Sequence, residues 1–291
     1  MTVRQIAIKA ARLLPNSLYI KLQYHSILGT WPNLKNPQTF NEKIQWLKLR
    51  DRKPVFTMMA DKYLVKDYIE KNLGKEYVIP TYGVWNRVED IDYDGLPNQF
   101  VLKCTHDSGS VIVCRNKKKL NIEEANQKLR ASMKKNGYWY GREWPYKDIP
   151  HRIIAEQYLE DPDSETIRDY KFFCFNGTPR FIYVSEGLET HATAHISFYD
   201  FDGKEMPFHR DDYKPFDVNP QMPSNLEEMR QLSEKLANII PCPFVRTDFY
   251  SISGKTYFSE ITFTPCSGLM PITPREWDST IGSWLDLTKD V

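Results

Sequence analysis

The residues best suited to chemistry fall in two short runs, Val245-Arg246-Thr247-Asp248-Phe249-Tyr250 and Tyr257-Phe258-Ser259-Glu260-Ile261-Thr262-Phe263. Side chains alternate along a strand, so Arg246 and Asp248 share one face and Glu260 and Thr262 share one face. If the turn takes up residues 251 to 255, Arg246 faces Glu260 and Asp248 lies diagonally across from it, about 7 to 8 Å away. Two carboxylates converging at that separation suit a hard cation. Mg²⁺ is the oxygen-seeking choice, since it keeps water and substrate phosphates in its shell. A solvated hairpin face with an Arg/Glu cross-strand pair is the competing reading, and the apolar residues interleaved on the other face weigh against it.

Upstream, Phe100-Val101-Leu102-Lys103-Cys104 places a lysine late in an apolar strand. It opens into Thr105-His106-Asp107-Ser108-Gly109-Ser110 and a second β-rich run. Successive backbone N–H groups in such a loop can cradle phosphate oxygens while the lysine supplies a point charge. A hairpin loop with a snorkelling lysine would look much the same. His106 could touch a phosphate, although a local turn hydrogen bond is the plainer role. In Arg152 to Glu160 an acid, Glu156, stands near the end of an apolar strand. A connector over Glu156, Gln157, Tyr158 and Leu159 could offer backbone polar groups to a purine edge. A strand-end charge is the ordinary alternative. Lys171 shares a strand face with Asp169 and could reach phosphate; an exposed Asp/Lys pair explains the spacing equally well.

These side chains need a frame, and the pattern of apolar residues supplies one. Thr39 and Glu42 stand at capping-box spacing before a helix to Leu49. Val55 to Leu73 reads as one further helix closed by Gly74. From Tyr77 the period shortens, with β-rich runs at 78–85, 100–104 and 110–114. A helix is expected at 121–135 and a strand at 152–159. A hairpin should follow over 168–185 around Asn176-Gly177, then a helix over 224–240 capped by Ser224, then a last hairpin over 244–263 around Ser253-Gly254. The first residues, 3–14, put Val3, Ile6, Ala7, Ala10, Leu13 and Leu14 on one helical face, with Arg4, Lys9 and Arg12 off it. A core or partner-facing helix is the simpler explanation, and peripheral attachment to an anionic membrane is the other.

Together these runs resemble the ATP-grasp superfamily, in its TupA-like branch associated with teichuronopeptide and other surface-polysaccharide biosynthesis. The resemblance is carried by Asn33 to Lys43, Asp61 to Ile69, the Lys103 strand, Asp169-Tyr170-Lys171-Phe172, and Arg246 to Gly268. It implies an α+β ATP-grasp fold: a helical region at 1–76, a nucleotide-covering lobe at 77–155, and a C-terminal lobe at 156–291 with the metal site. ATP would lie between the lobes on Lys103, His106, Ser108, Gly109, Ser110 and Asp169, with adenine on Glu156, Gln157, Tyr158 and Leu159. Asp248, Glu260 and Thr262 would hold Mg²⁺. Arg246 and Lys171 would act on the transferred phosphate or on the tetrahedral intermediate. The implied reaction joins a carboxylate to an amine through an acyl phosphate, with a uronate of a surface glycan or its precursor and an amino acid or amine as the suggested pair. Two departures stand out. Thr262 occupies the place where most grasp enzymes carry an Asn metal ligand, and the N-terminal part looks helical where a βαβ opening is usual.

Composition narrows the partners. Thirty-nine Lys and Arg against 38 Asp and Glu leave no excess positive field for a nucleic acid. Five scattered cysteines without a C-x-x-C pair read as reduced thiols of a cytoplasmic protein. There is no apolar run of about 18 residues to span a bilayer, and no small-residue cleavage site of a secretory signal. A glycosyltransferase or a non-catalytic nucleotide-binding module are the rival readings. For the first, Asp161-Pro162-Asp163 mimics a D-x-D but fits an ordinary turn better. His191 and His195 lack a third metal ligand nearby.

Overall fold

The computed structural model describes residues 12–161, 166–188 and 194–288. The expected helix at 3–14, the Asp161-Pro162-Asp163 turn and His191 fall wholly or partly outside them. Four helices come first: α1 (Asn16–Leu28), α2 (Phe40–Arg50), α3 (Val55–Ala60) and α4 (Val65–Asn72). The start of α2 is the expected capping box. Thr39 accepts from the Glu42 amide at 3.2 Å, and the Glu42 carboxylate accepts from the amides of Thr39, Gln38 and Asn33 at 3.2, 2.8 and 2.7 Å.

The single helix expected over 55–73 is instead two. Asp61, fully buried, takes the amides of Tyr63 and Leu64 at 2.8 and 3.3 Å. That side chain thereby competes with the helical ladder and breaks it.

A first antiparallel sheet follows in the order β1 (Thr81–Trp85), β4 (Ile153–Gln157), β2 (Phe100–Cys104), β3 (Ile112–Cys114). Phe100, Leu102 and Cys104 alternate onto one face, where they meet Leu129 of α5 (Ile122–Met133), which the one-turn α6 (Tyr138–Gly141) follows. Lys103 therefore points to the opposite face. Glu156 pairs with Val101 across the strands, which sets its side chain diagonal to Lys103 on that same face.

The second sheet runs β10 (Lys255–Thr262), β9 (Phe244–Ile252), β5 (Asp169–Phe175), β6 (Thr178–Glu186), β7 (His195–Tyr199), antiparallel throughout. Both hairpin turns are two-residue and left-handed, with Asn176 and Gly177 at φ 45° and 86° and Ser253 and Gly254 at φ 49° and 77°. One sheet face packs on α7 (Leu226–Ile239) through Phe172, Val245 and Phe249. This helix starts after Asn225, not Ser224, and the Asn225 side chain goes to Thr256 and Ser251 at 2.7 Å each.

The other face carries Phe173, Phe175, Phe181, Phe198 and Phe244, covered by α2 and by α8 (Glu276–Ser283). Each fully buried ring there contributes about 1.5–3 kcal/mol of transfer free energy as an upper bound. A short two-stranded sheet pairs β8 (His209–Arg210) with β11 (Ile272–Thr273).

The register of the last hairpin corrects the expectation drawn from a five-residue turn. The turn occupies only Ser253 and Gly254, and a β-bulge between Phe258 and Glu260 shifts the pairing. Asp248 consequently stands directly opposite Glu260, and Arg246 opposite Thr262. Were the same residues paired in a straight ladder without the bulge, Asp248 would face Ser259 and Glu260 would turn toward α7. The burial of both Phe258 and Ile261 in the α7-side core, three positions apart, reflects the same shift.

The loop after β2 is tied down by a histidine pair. His106 and His151 stack with ring centroids 3.7 Å apart. His106 Nε2 donates to the Ser132 carbonyl at 3.2 Å and His151 Nδ1 to that of Met133 at 2.8 Å, fastening the loop to the end of α5. Burial, then the neighbouring His151, lowers the pKa of His106, so folding disfavours its charged form. A group depressed in this way contributes stability above its unfolded pKa and loses it as pH falls. Stability should decline below about pH 6.5, the ordinary histidine value. His106→Gln should flatten that part of the curve in denaturant unfolding; an unchanged slope would remove His106 as its source.

Candidate active site

On the second sheet, charge is concentrated where β10, β9 and β5 adjoin. Arg246 forks onto Asp248, with Nε to Oδ1 at 2.7 Å and Nη2 to Oδ2 at 2.6 Å. Arg246 Nη2 also donates to Thr262 Oγ1 at 2.9 Å, and that hydroxyl donates to Glu260 Oε1 at 2.9 Å. From β5, whose Lys171 pairs in register with Asp248, the Lys171 ammonium bridges Asp248 at 3.0 Å and Asp169 at 3.1 Å. Lys171 is buried, so the exposed Asp/Lys pair is not what forms.

Burial would push the Glu260 carboxyl up, yet Lys62, Arg246 and Lys171, with the Thr262 bond, outweigh it and hold the pKa at about 2. Burial raises the Asp169 pKa, with Lys171 opposing and Asp248 reinforcing it. Among the described residues, the buried Asp169 Oδ1 has no hydrogen-bond partner.

The first sheet presents a second cluster. Glu156 is buried and lies between two lysines, with Lys66 at 2.6 Å and Lys103 in closer contact still. Burial alone would raise its pKa, but the two ammonium groups lower it, Lys103 foremost. Glu156 is thus neither a strand-end charge nor a group turned outward to a ring; it holds the Lys103 ammonium in place. Next along the chain, the Gln157 amide donates to the Pro80 carbonyl at 2.9 Å, and the Tyr158 hydroxyl accepts from Arg115 at 2.9 Å. Leu159 is buried.

In the loop after β2, the Ser110 hydroxyl accepts from the Cys104 amide at 2.7 Å and donates to Asp107 at 2.5 Å, so it closes the loop instead of facing outward. His106 likewise turns inward onto His151. Ser108 and Gly109 remain exposed at the tip, and a Cβ on Gly109 would meet nothing within 4 Å. An exposed tip of small residues can offer backbone amides to an anion.

Lys62 links the two clusters. Its Nζ donates to the Asp107 carbonyl at 2.6 Å while its charge acts on Glu260. Lys62 and Lys66 carry no assigned role in the sequence reading, although both lie in the Asp61 to Ile69 run and share helical i,i+4 spacing, which was the available signal.

Three more residues were not legible. Tyr146 has its hydroxyl pKa raised, by burial first and then by the Glu260 charge. Glu143 accepts from Ser267 at 2.9 Å and from the Thr264 hydroxyl. Arg210, in the small sheet, donates to the Cys266 thiol at 3.0 Å. Cys266, Ser267 and Gly268 are successively left-handed, at φ 50°, 59° and 68°. Backbone strain of this kind collects at ligand clamps. A Cβ on Gly268 would fall 2.8 Å from Ile44 Cγ2, so α2 shapes this loop directly.

The donor set fits a hard cation. Asp248 and Glu260 face each other in register, and Asp169 adds an unused buried oxygen. Among the described residues no three of His, Cys, Asp and Glu converge as a metal-binding group; Mg²⁺ is commonly held by one or two carboxylates beside water and phosphate oxygens.

No curated protein matches the chain. Among solved structures it is similar to the D-alanine–D-alanine ligase from Bacillus anthracis complexed with ATP, at 14% identity, TM-score 0.42, 71% of this chain and 55% of that one. It is similar to the L-amino acid ligase from Bacillus licheniformis, at 14% identity, TM-score 0.45, 79% of this chain and 50% of that one. For the D-alanine–D-alanine ligase from Helicobacter pylori the figures are 15%, 0.40, 79% and 63%. The chain therefore spans about half to under two thirds of the length of these proteins. The sequence profile of the TupA-like ATP-grasp family matches residues 42–286. That match takes in both sheets and every residue of the two charged clusters, and the chain belongs to the TupA-like ATP-grasp family.

Proposed function

We propose that this protein is an ATP- and Mg²⁺-dependent carboxylate-amine ligase working through an acyl phosphate. The observation that carries the reading is the pairing of two clusters across Lys62: a lysine-lined cradle with an open loop tip on one sheet, and a buried, charge-balanced set of acids and bases on the other. A nucleotide triphosphate has the charge distribution to lie between them. Its phosphates would meet Lys103 and the Ser108–Gly109 tip, and the connector after β4 would border the base. Asp248 and Glu260 would hold Mg²⁺, which when bound neutralises phosphate charge.

The chain's own residues then have defined tasks. A substrate carboxylate oxygen attacks the γ-phosphorus, and the bond to the ADP leaving oxygen breaks. The resulting acyl phosphate is attacked at carbon by an amine, phosphate leaves, and the amine loses a proton to solvent or phosphate. Arg246 and Lys171 supply fixed positive charge where oxyanions develop, so positioning and electrostatics do most of the work. Tyr146, whose hydroxyl pKa is raised by burial and then by the Glu260 charge, would offer a donor at the same place. The suggested substrates are a uronic acid of a surface polysaccharide or capsule precursor and an amino acid or amine, met in the cytoplasm.

Calorimetry should show ATP or ADP binding tighter with Mg²⁺ than with a chelator. Preference for a nucleotide sugar over ATP would instead favour a glycosyltransferase.

Glu260→Gln keeps the volume and removes one anionic ligand. Turnover, read as ADP release with pools of uronates and amines, should fall about 10²-fold or more, and the melting temperature should fall too, because the charge that Lys62, Arg246 and Lys171 stabilise is lost. Asp248→Asn is a harsher change, because it strips the counter-charge from buried Arg246 and Lys171; it should also lower stability, by about 3–5 kcal/mol. Full activity in either variant would take that residue out of the site.

Arg246→Lys keeps the charge but loses the planar fork. If Arg246 acts on the developing oxyanion, turnover drops about 10² to 10³-fold with nucleotide affinity nearly unchanged. Proportionate losses of affinity and melting temperature would assign it only to holding Asp248.

A further inference from the structure

We infer that Glu143 is a positioning residue for the transfer, acting through Thr264 and Ser267 to fix the loop that leaves the last hairpin. Its effect on turnover rests on the ligase reading; its hold on the loop does not. Thr264 lies two residues beyond Thr262, whose hydroxyl joins Arg246 to Glu260. Whatever holds Thr264 therefore limits where that hydroxyl can go. The loop that follows is strained, since Cys266 and Ser267 are both left-handed and neither is glycine. A segment of that kind keeps its shape only where its surroundings over-determine it.

Two parts of the chain do so. α2 takes the carbonyls: Gln45 donates to those of Ser267 and Gly268, and Lys48 donates to that of Ser267 at 2.8 Å. Glu143 takes the hydroxyls. One carboxylate oxygen accepts from Ser267 at 2.9 Å and the other accepts from Thr264, so a single half-buried side chain ties residues three apart. Both bonds are charge-assisted.

Glu143 comes from the stretch between α5 and β4, so the clasp reaches from the segment of the first sheet to the end of the second. Arg142, left-handed at φ 54°, turns the chain out of α6 and sets Glu143 over the loop. The approach is close: a Cβ on Gly141 would fall 1.9 Å from the Ser267 hydroxyl oxygen. Three residues on, burial first and then the charges of Glu260 and Glu143 raise the pKa of the Tyr146 hydroxyl. The same stretch thus borders the acids as well as the loop.

A carboxylate accepts both hydroxyls, whereas an amide has one acceptor oxygen and turns an NH₂ toward the other hydroxyl. Glu143→Gln therefore weakens the clasp at nearly constant volume. Amide hydrogen exchange over residues 264–269 should quicken about tenfold or more in this variant, with both sheets exchanging like the parent's. Calorimetry should give Mg²⁺–ATP affinity within about twofold of the parent, while ADP release with the pools of uronates and amines falls about tenfold or more, in kcat and not in KM for ATP. Thr264→Val with Ser267→Ala should do the same. Adding Glu143→Gln to that pair should cost little more, because Glu143 acts through those two hydroxyls.

Parent-like exchange in the loop, or a fully additive triple variant, would overturn the inference. So would proportionate losses of ATP affinity, melting temperature and turnover, which would leave Glu143 a structural residue only. A parent that binds Mg²⁺–ATP but releases no ADP with any pool would overturn the ligase reading and the effect on turnover with it; loop exchange would still decide the clasp.

Discussion

Asp248 has both carboxylate oxygens engaged, by the Arg246 fork and by Lys171 from the adjacent strand, in a place closed to water. None of these ions could be buried singly, because removing a carboxylate or ammonium from water costs several kcal/mol even after the protein relaxes. The neutralising charges must therefore come from different parts of the chain and arrive together. β5 has to lie beside β9 for Lys171 to reach Asp248, and the segment before α4 has to cross over for Lys62 to reach Glu260. The same constraint operates at Glu156, which is buried only because Lys66 and Lys103 approach it from two elements.

How much of this was legible depended on the range of each interaction. The hairpins were readable because alternation and the left-handed pairs Asn176-Gly177 and Ser253-Gly254 are local signals. The capping box at Thr39 was readable for the same reason. Asp61 was not: a buried aspartate that captures its own downstream amides looks, in a helical window, like an ordinary polar position. In the sequence Glu156 looks like the end of a strand beside a connector, since its partner Lys66 lies far upstream and local spacing carries no trace of a long-range ion pair. The open alternatives at Lys171 close only in three dimensions, where its neighbours are seen to be buried acids. The composition of their loop suggests a phosphate cradle for Ser110 and His106, whereas their side chains hold that loop to itself and to α5.

The helical start of the chain is not an appendage. Asn41 bonds the Met270 carbonyl at 2.9 Å, Gln45 the carbonyls of Ser267 and Gly268 at 3.0 and 2.7 Å, and Lys43 those of Gly282 and Leu285 at 2.8 and 2.6 Å. Lys48, buried beside Ser267 with its pKa lowered to about 8 by burial, completes the seam. At Gly282 a Cβ would fall 2.2 Å from the Gln38 carbonyl oxygen, so α8 and the start of α2 approach as closely as backbone allows. The departure from a βαβ opening thus has a structural counterpart: α2 does the work of a lid over the phenylalanine-rich face and shapes the loop beyond Thr262.

The bulge before Glu260 has a consequence for how relatives of this chain could diverge. The extra residue, Ser259, is absorbed by the bulge, so that Phe258 and Glu260 keep the partners Phe249 and Asp248 although two steps of chain separate them where one would do. A relative one residue shorter here would need no bulge and would still set its glutamate opposite the aspartate. A relative of the same length with a straight ladder would turn the carboxylate into the α7 core, so hairpin length and bulge have to change together for the two acids to stay facing each other.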